Sequence, residues 1–173
     1  AGLQAPLICA CAEALPFPKD TFDIVVSESA IEHVRDQKRV LSESNRVLKP
    51  SAKFFLSTPN RFSLGPDPQV GILAGGYLPA AWIAWWVRKQ GGIPPQRRLF
   101  SAKALRQALV AAGFEIEAVR QVQITPAQRA QFGLVMRWMI EGYSIVQKLP
   151  LVGGILNQVG PLFYVSATLR KSE

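Results

Sequence analysis

Apolar positions along the chain follow two different periods. The runs Leu7–Ala12, Phe22–Ser27 and Phe54–Ser57 are short and almost free of polar alternation, which predicts strands buried on both faces. Between the second and third runs, Val40, Leu41, Ser44, Val47 and Leu48 recur at helical spacing. Asp36 is placed to cap that helix and Lys49-Pro50 to end it, giving a helix over 36–48. Strand, helix, strand in this order is a βαβ unit with a right-handed crossover. Its strand ends share one edge, where open α/β sheets bind ligands, and that edge carries Ser27-Glu28-Ser29 and Ser57-Thr58-Pro59-Asn60.

Further along, Ser101 caps a helix carrying Leu105, Leu109 and Ala112, closed by Gly113. Phe114, Ile116 and Ala118 alternate with Glu115 and Glu117 as a strand exposed on one side. Thr125-Pro126 opens a helix to about Lys148 on the stripe Phe132, Val135, Met136, Met139, Ile140 and Tyr143. A Gly/Pro loop follows, and Phe163, Val165 and Ala167 alternate with Tyr164, Ser166 and Thr168 in a last strand.

Residues 61–100 differ in character, with three of the four Trp and no charge between Val70 and Val87. That length approaches a membrane span, but Gly71, Gly75, Gly76 and Pro79 interrupt it and no clean helical period runs through it. An apolar lid over a substrate pocket is the favoured reading. Gly75-Gly76 and Gly153-Gly154 lack a flanking strand–loop–helix and are read as turn glycines.

Composition narrows the field. A hydrophobic fraction of 49% and a charged fraction of 18% describe one folded domain. The formal net charge of +8 favours anionic partners or a membrane surface, while the scatter of the basic residues argues against nucleic acid. Cys9 and Cys11, two apart on one strand face, are expected to be reduced and mostly buried, with no Cys/His cluster for a metal.

The motifs themselves are Cys11-Ala12-Glu13-Ala14-Leu15-Pro16-Phe17-Pro18, Phe22–Ser27, Ile31-Glu32-His33-Val34 and Arg46-Val47-Leu48-Lys49-Pro50. In this order and spacing they resemble the middle of a class I S-adenosylmethionine-dependent methyltransferase domain of the type 11 kind, clearest over residues 5–65. The resemblance implies a partial Rossmann-like α/β fold, a doubly wound sheet without its first strands, with a lid insertion at 61–100 and a helical insertion at 126–160. It also implies a Gly-rich loop and an acidic residue upstream of these motifs. With Ala1 first and residues 1–8 uncharged, the start reads as a cut inside one domain spanning 1–173.

Site residues follow from the same resemblance. Cys11, Ala12, Glu13 and Leu15 fall on the adenine side of S-adenosyl-L-methionine, and Ser27, Glu28 and Ser29 on its methionine side. The family usually has Asp at the Cys11 position; a thiol is a weak acceptor, so the adenine contact falls to a backbone N–H. His33, the single histidine, is the candidate catalytic base, or else a helix-turn residue bonded to backbone. Asn60 and Arg61 are candidates to meet a polar or anionic group of the acceptor. Ser51 stands where the family has Gly, so the turn is expected to be reshaped at some cost in stability.

The implied activity is methyl transfer to a small-molecule or lipid-like acceptor in the cytoplasm. Two alternatives remain open at this level. One is a non-catalytic module that pairs an exposed sheet edge with another chain. The other is a peripheral membrane methyltransferase, with residues 70–87 or 126–148 on a bilayer.

Overall fold

A computed structural model of the chain describes residues 6–63, 72, 74–94, 96–121, 138, 141–142, 160 and 162–170. Four strands form one sheet in the order β1 (Phe22–Glu28), β2 (Leu48–Pro59), β4 (Leu162–Leu169), β3 (Phe114–Gln121). β1 runs parallel to β2, and β4 runs antiparallel to both of its neighbours. Helices α1 (Gln37–Val47) and α3 (Ala102–Ala111) accompany it, with α2 (Ala80–Lys89) between them in sequence. The expected βαβ unit is present as β1, α1 and β2.

The core lies where one sheet face meets α1 and α3. Phe54, Leu56, Phe163, Val165 and Ala167 supply the sheet side, and Val40, Leu41, Leu105 and Leu109 the helix side. Phe54 stacks on Phe114 with ring centroids 4.8 Å apart. Asp36 caps α1 by accepting from the Arg39 N–H, and Ser101 caps α3 through the Ala104 N–H, as the sequence predicts. Gly113 follows α3 at φ +87°, where an added Cβ would meet Asn45 Nδ2, the atom that donates to the Ala112 carbonyl.

The other sheet face contradicts the expectation of strands covered on both sides. Ile24, Val26, Phe55 and Tyr164 are 55, 67, 41 and 40% exposed, because α1 and α3 both pack on the opposite face. In β3 the inward alternation holds for Phe114 and Ile116, then slips at a register shift before Ala118, and Val119 takes the core contact instead.

Leu7–Ala12 is not a strand. Its one pairing is the isolated bridge of Cys11 with Ala14, and Leu7 is 96% exposed. An apolar run becomes a strand only when a ladder satisfies its N–H and C=O groups, and among the described residues none is offered to it. Cys9 and Cys11 are accordingly exposed rather than buried.

Instead, residues 11–17 are fastened to α1 by side chains. Arg46 donates to the Leu15 and Phe17 carbonyls at 2.9 and 2.8 Å, and Glu43 accepts from the Leu15 N–H at 2.9 Å. The two side chains also pair with each other at 2.8 Å. Arg46 is the main reason the Glu43 carboxyl is lowered to about 2, with the Leu15 N–H adding to it.

Ser51 keeps the left-handed conformation, φ +65°, at the irregular entry to the β1–β2 ladder. Serine there carries the Cβ strain that a positive φ imposes, as expected for the cost in stability.

The long excursion after β2 returns to its starting point. Asn60 bridges Phe100, and the Arg61 N–H donates to the Phe100 carbonyl at 2.9 Å. A Cβ on Gly76 would overlap the Arg61 carbonyl oxygen, so this glycine is needed for close approach as well as for the turn. The helical insertion and Gly/Pro loop expected at 126–160 lie outside the described residues, apart from positions 138, 141–142 and 160.

Two outcomes are expected. Because the Glu43 pKa is depressed on folding, its stabilisation is complete above the usual carboxyl value of 4.5 and is lost as pH falls from there toward 2. Glu43→Gln should lower stability by about 1 kcal/mol near neutrality and flatten that part of the acid limb, as read from urea midpoints against pH. Ser51→Gly should raise the urea midpoint, equivalent to about 0.5–1 kcal/mol, since relief of the Cβ outweighs the added freedom of the unfolded chain.

Candidate active site

The site is built at the carboxyl ends of β1 and β2. Their parallel register places Glu28 opposite Ser57. The Ser29 N–H donates to both the Ser57 carbonyl (3.0 Å) and the Ser57 hydroxyl (3.1 Å). Ser29 itself turns left-handed at φ +45°, which swings the chain off the strand. A 3-10 turn, Ile31–His33, follows immediately.

In that turn Ile31 and Glu32 are buried and His33 is not. Glu32 is 1% exposed and accepts from the Thr58 hydroxyl at 3.0 Å through Oε2. Its Oε1 has no hydrogen-bond partner among the described residues, although burying a bare carboxylate oxygen is costly. His33 points outward with its side chain 43% exposed, and its Nε2 lies 4.0 Å from that same Oε1. Neither Glu32 nor Thr58 was anticipated from sequence as a pair. The available signal was a Glu sandwiched between Ile31 and His33 on a strand-end turn.

The return leg of the 61–100 excursion is stitched across this turn. The Arg98 N–H donates to the Glu32 carbonyl at 2.8 Å, and Arg98 Nη1 donates to the Arg35 carbonyl at 2.9 Å. Gln37 Nε2 donates to the carbonyls of Ile31 and Arg98.

The adenine-side candidates sit beside the same turn. Glu13 Oε1 accepts from the backbone N–H groups of Arg35 and Asp36 at 3.0 and 3.3 Å, and Oε2 accepts from the Cys11 thiol at 2.9 Å. These bonds, led by the thiol, lower the Glu13 carboxyl to about 2. Both Glu13 oxygens are thus engaged within the chain, and so is the Leu15 N–H, which Glu43 takes. The Ala12 N–H forms no hydrogen bond among the described residues.

On the uncovered sheet face a shallow cavity of about 360 Å³ is lined by Val26, Ser27, Glu28, Phe55, Arg120 and Tyr164, among others. It gathers two of the methionine-side candidates. It also recruits Arg120 and Tyr164, from β3 and β4, which no local pattern connected to the site.

The two acceptor-side candidates separate. Asn60 is 3% exposed; its Nδ2 donates to the Gly160 carbonyl and its Oδ1 accepts from the Phe62 N–H, so it shapes the turn. Arg61 is exposed, with its guanidinium carbon 5.4 Å from the centre of the Phe62 ring.

Comparison with known proteins bears on this geometry. The methyltransferase domain profile matches residues 3–119. A probable S-adenosylmethionine-dependent methyltransferase of Mycolicibacterium smegmatis is 33% identical over 103 residues, covering 60% of this chain and 32% of that protein. The ubiquinone biosynthesis O-methyltransferase of Rhizobium johnstonii is 26% identical over 149 residues, covering 86% of this chain and 56% of the relative. The chain therefore spans between a third and somewhat over half of the length of these relatives. Among solved structures, an S-adenosylmethionine-dependent methyltransferase from Mesorhizobium loti superposes with a TM-score of 0.57 at 20% identity, over 92% of this chain and 67% of that one. The [4+2]-cyclase SpnF superposes with a TM-score of 0.54 at 21% identity, over 95% and 56% of the two chains. These likenesses show the fold, and the profile match over most of the chain shows the family: the chain belongs to the class I S-adenosylmethionine-dependent methyltransferases.

Proposed function

We propose that this chain forms the adenine-side turn, the methionine-side loop and the acceptor-side wall of a methyltransferase site, acting on a small-molecule or lipid-like acceptor. The observation that carries the reading is the shared rim. Within the stretch matched by the family, the β1–β2 register sets Glu28 and Ser29 against Ser57 at the strand ends, with Glu32 and His33 on the turn that follows.

The residues present fit S-adenosyl-L-methionine at two points. The open Ala12 N–H suits an adenine ring nitrogen. Ser27 and the exposed Glu28 carboxylate suit the polar methionine end. Cys11 brings no carboxylate to the adenine amino group, and its thiol is committed to Glu13, so the adenine is held by backbone alone. When bound, the cofactor supplies an electrophilic methyl group on a sulfonium.

The chain's own residues then align and cover. His33, half exposed beside the rim, accepts the proton of an acceptor hydroxyl. Glu32, anchored by Thr58, sets a buried carboxylate oxygen 4.0 Å from that imidazole. Arg61 meets an anionic or polar group of the acceptor, and Asn60 positions the turn that presents it. The 61–100 excursion, tied across residues 31–37 by Arg98, serves as the lid that excludes water. The relatives named for ubiquinone biosynthesis support a lipid-like acceptor.

Calorimetric titration of S-adenosylhomocysteine into protein from the complete gene should show saturable binding; absence of binding removes the reading. Given binding, His33→Ala should reduce radiolabelled methyl transfer to a panel of phenolic acceptors by about a hundredfold, with S-adenosylhomocysteine affinity unchanged. Glu32→Gln should reduce turnover by about tenfold with S-adenosylhomocysteine affinity unchanged, since the carboxylate sits beside His33 and not on the cofactor. Unchanged rates in both variants would leave the site with alignment alone.

A further inference from the structure

Helix α2, Ala80–Lys89, buries none of its ten residues. This is unexpected for a segment that reads Ala-Ala-Trp-Ile-Ala-Trp-Trp-Val before its first charge. Trp82, Trp85 and Trp86 stand at i, i+3 and i+4, on one side of the helix. They are 45, 50 and 37% exposed. Their rings pack on one another, with centroids 6.0–6.4 Å apart and Trp82 stacked on Trp86 at an interplanar angle of 9°. Lys89 extends the row with its ammonium 5.2 Å from the Trp85 ring centre. Tyr77 before the helix and Ile93 after it are 52 and 92% exposed.

The charge pattern around this platform is one-sided. Between Asp67 and Glu115 the sequence has no acidic residue and six basic ones: Arg88, Lys89, Arg97, Arg98, Lys103 and Arg106. Three indoles beside Arg88 and Lys89 match the chemistry of a bilayer interface, where the amphipathic ring sits at headgroup level and basic side chains meet anionic lipid. A second copy of the chain is disfavoured, because it would bring the same positive charge against this one.

Ten residues rise only about 15 Å along an α-helix, half the hydrocarbon thickness, and no helix among the described residues is long and apolar enough to span. We therefore infer that α2 is an interfacial anchor. It lies in the plane of an anionic membrane surface with Trp82, Trp85 and Trp86 embedded and Arg88 and Lys89 at the phosphates. Because the excursion that carries α2 is tied to the turn bearing His33, attachment would present the rim to an acceptor held in the bilayer. That consequence rests on the methyltransferase reading; attachment itself does not.

The test uses the whole chain without cofactor or acceptor, so its outcome is independent of catalysis. Co-sedimentation should show binding to phosphatidylcholine vesicles containing phosphatidylglycerol, and at least about tenfold weaker binding to phosphatidylcholine alone. The triple variant Trp82→Ala, Trp85→Ala, Trp86→Ala should lose about tenfold or more in partitioning, with its circular dichroism retained. Arg88→Gln with Lys89→Gln should lose a similar factor, and added salt should mimic it. Absence of vesicle binding, or equal binding by the tryptophan variant, overturns the inference. So does a shift from dimer to monomer in that variant, which would assign the platform to a second copy. Should the triple variant misfold, fluorescence in a Trp138→Phe background decides. Quenching by bromine-labelled lipid then supports embedding, and its absence overturns it.

Discussion

The parallel ladder between β1 and β2 is the constraint on which the rest of this molecule depends. It brings Glu28 level with Ser57, and the Ser29 N–H closes it by donating twice to Ser57. A one-residue slip would exchange the two faces of β2, moving Phe54 and Leu56 out of the core and Phe55 into it. The same slip would separate Thr58 from Glu32. Core and candidate site are thus set by a single register, and the hydrophobic pattern of β2 enforces both.

Around that ladder the polar work is done by few side chains. Glu43 and Arg46 hold residues 15–17 on α1, and Glu13 holds its loop on the Arg35 and Asp36 N–H groups just before the same helix. On the far edge Lys53 and Thr168 both donate to Glu117, Lys53 being the larger reason its carboxyl lies below the usual range. Glu32 differs from all of these. It is the buried carboxylate with one oxygen unmatched among the described residues, on the turn that follows β1. Likeness to both a methyltransferase and a cyclase is a reminder that the fold supplies the rim, while the reaction depends on the side chains set on it.

The uncovered face and the uncovered helix have different characters. Ile24, Val26 and Phe55 are aliphatic or aromatic positions of a sheet that in α/β proteins is covered on both sides. The α2 platform instead combines indoles with lysine and arginine, a pairing that an interior does not select.

Much was legible from residues in a row. The spacing of Val40, Leu41, Ser44 and Val47, with the caps at Asp36 and Ser101, determined α1 and α3, because helix periodicity and capping are local physics. The alternation of Phe163, Val165 and Ala167 determined the facing of β4 for the same reason. The order of Leu15-Pro16-Phe17, Phe22–Ser27 and Arg46–Pro50 was enough to indicate the family. Strand formation at Leu7–Ala12 was not decided locally, since it needs a partner ladder, and the burial of its cysteines failed with it. The joining of Glu32 to Thr58, the arrival of Arg120 and Tyr164 beside Ser27, and the inward turn of Asn60 were likewise left to tertiary structure. Contacts between residues far apart in sequence depend on which strands pair and in what register, and no window of neighbouring residues carries that information.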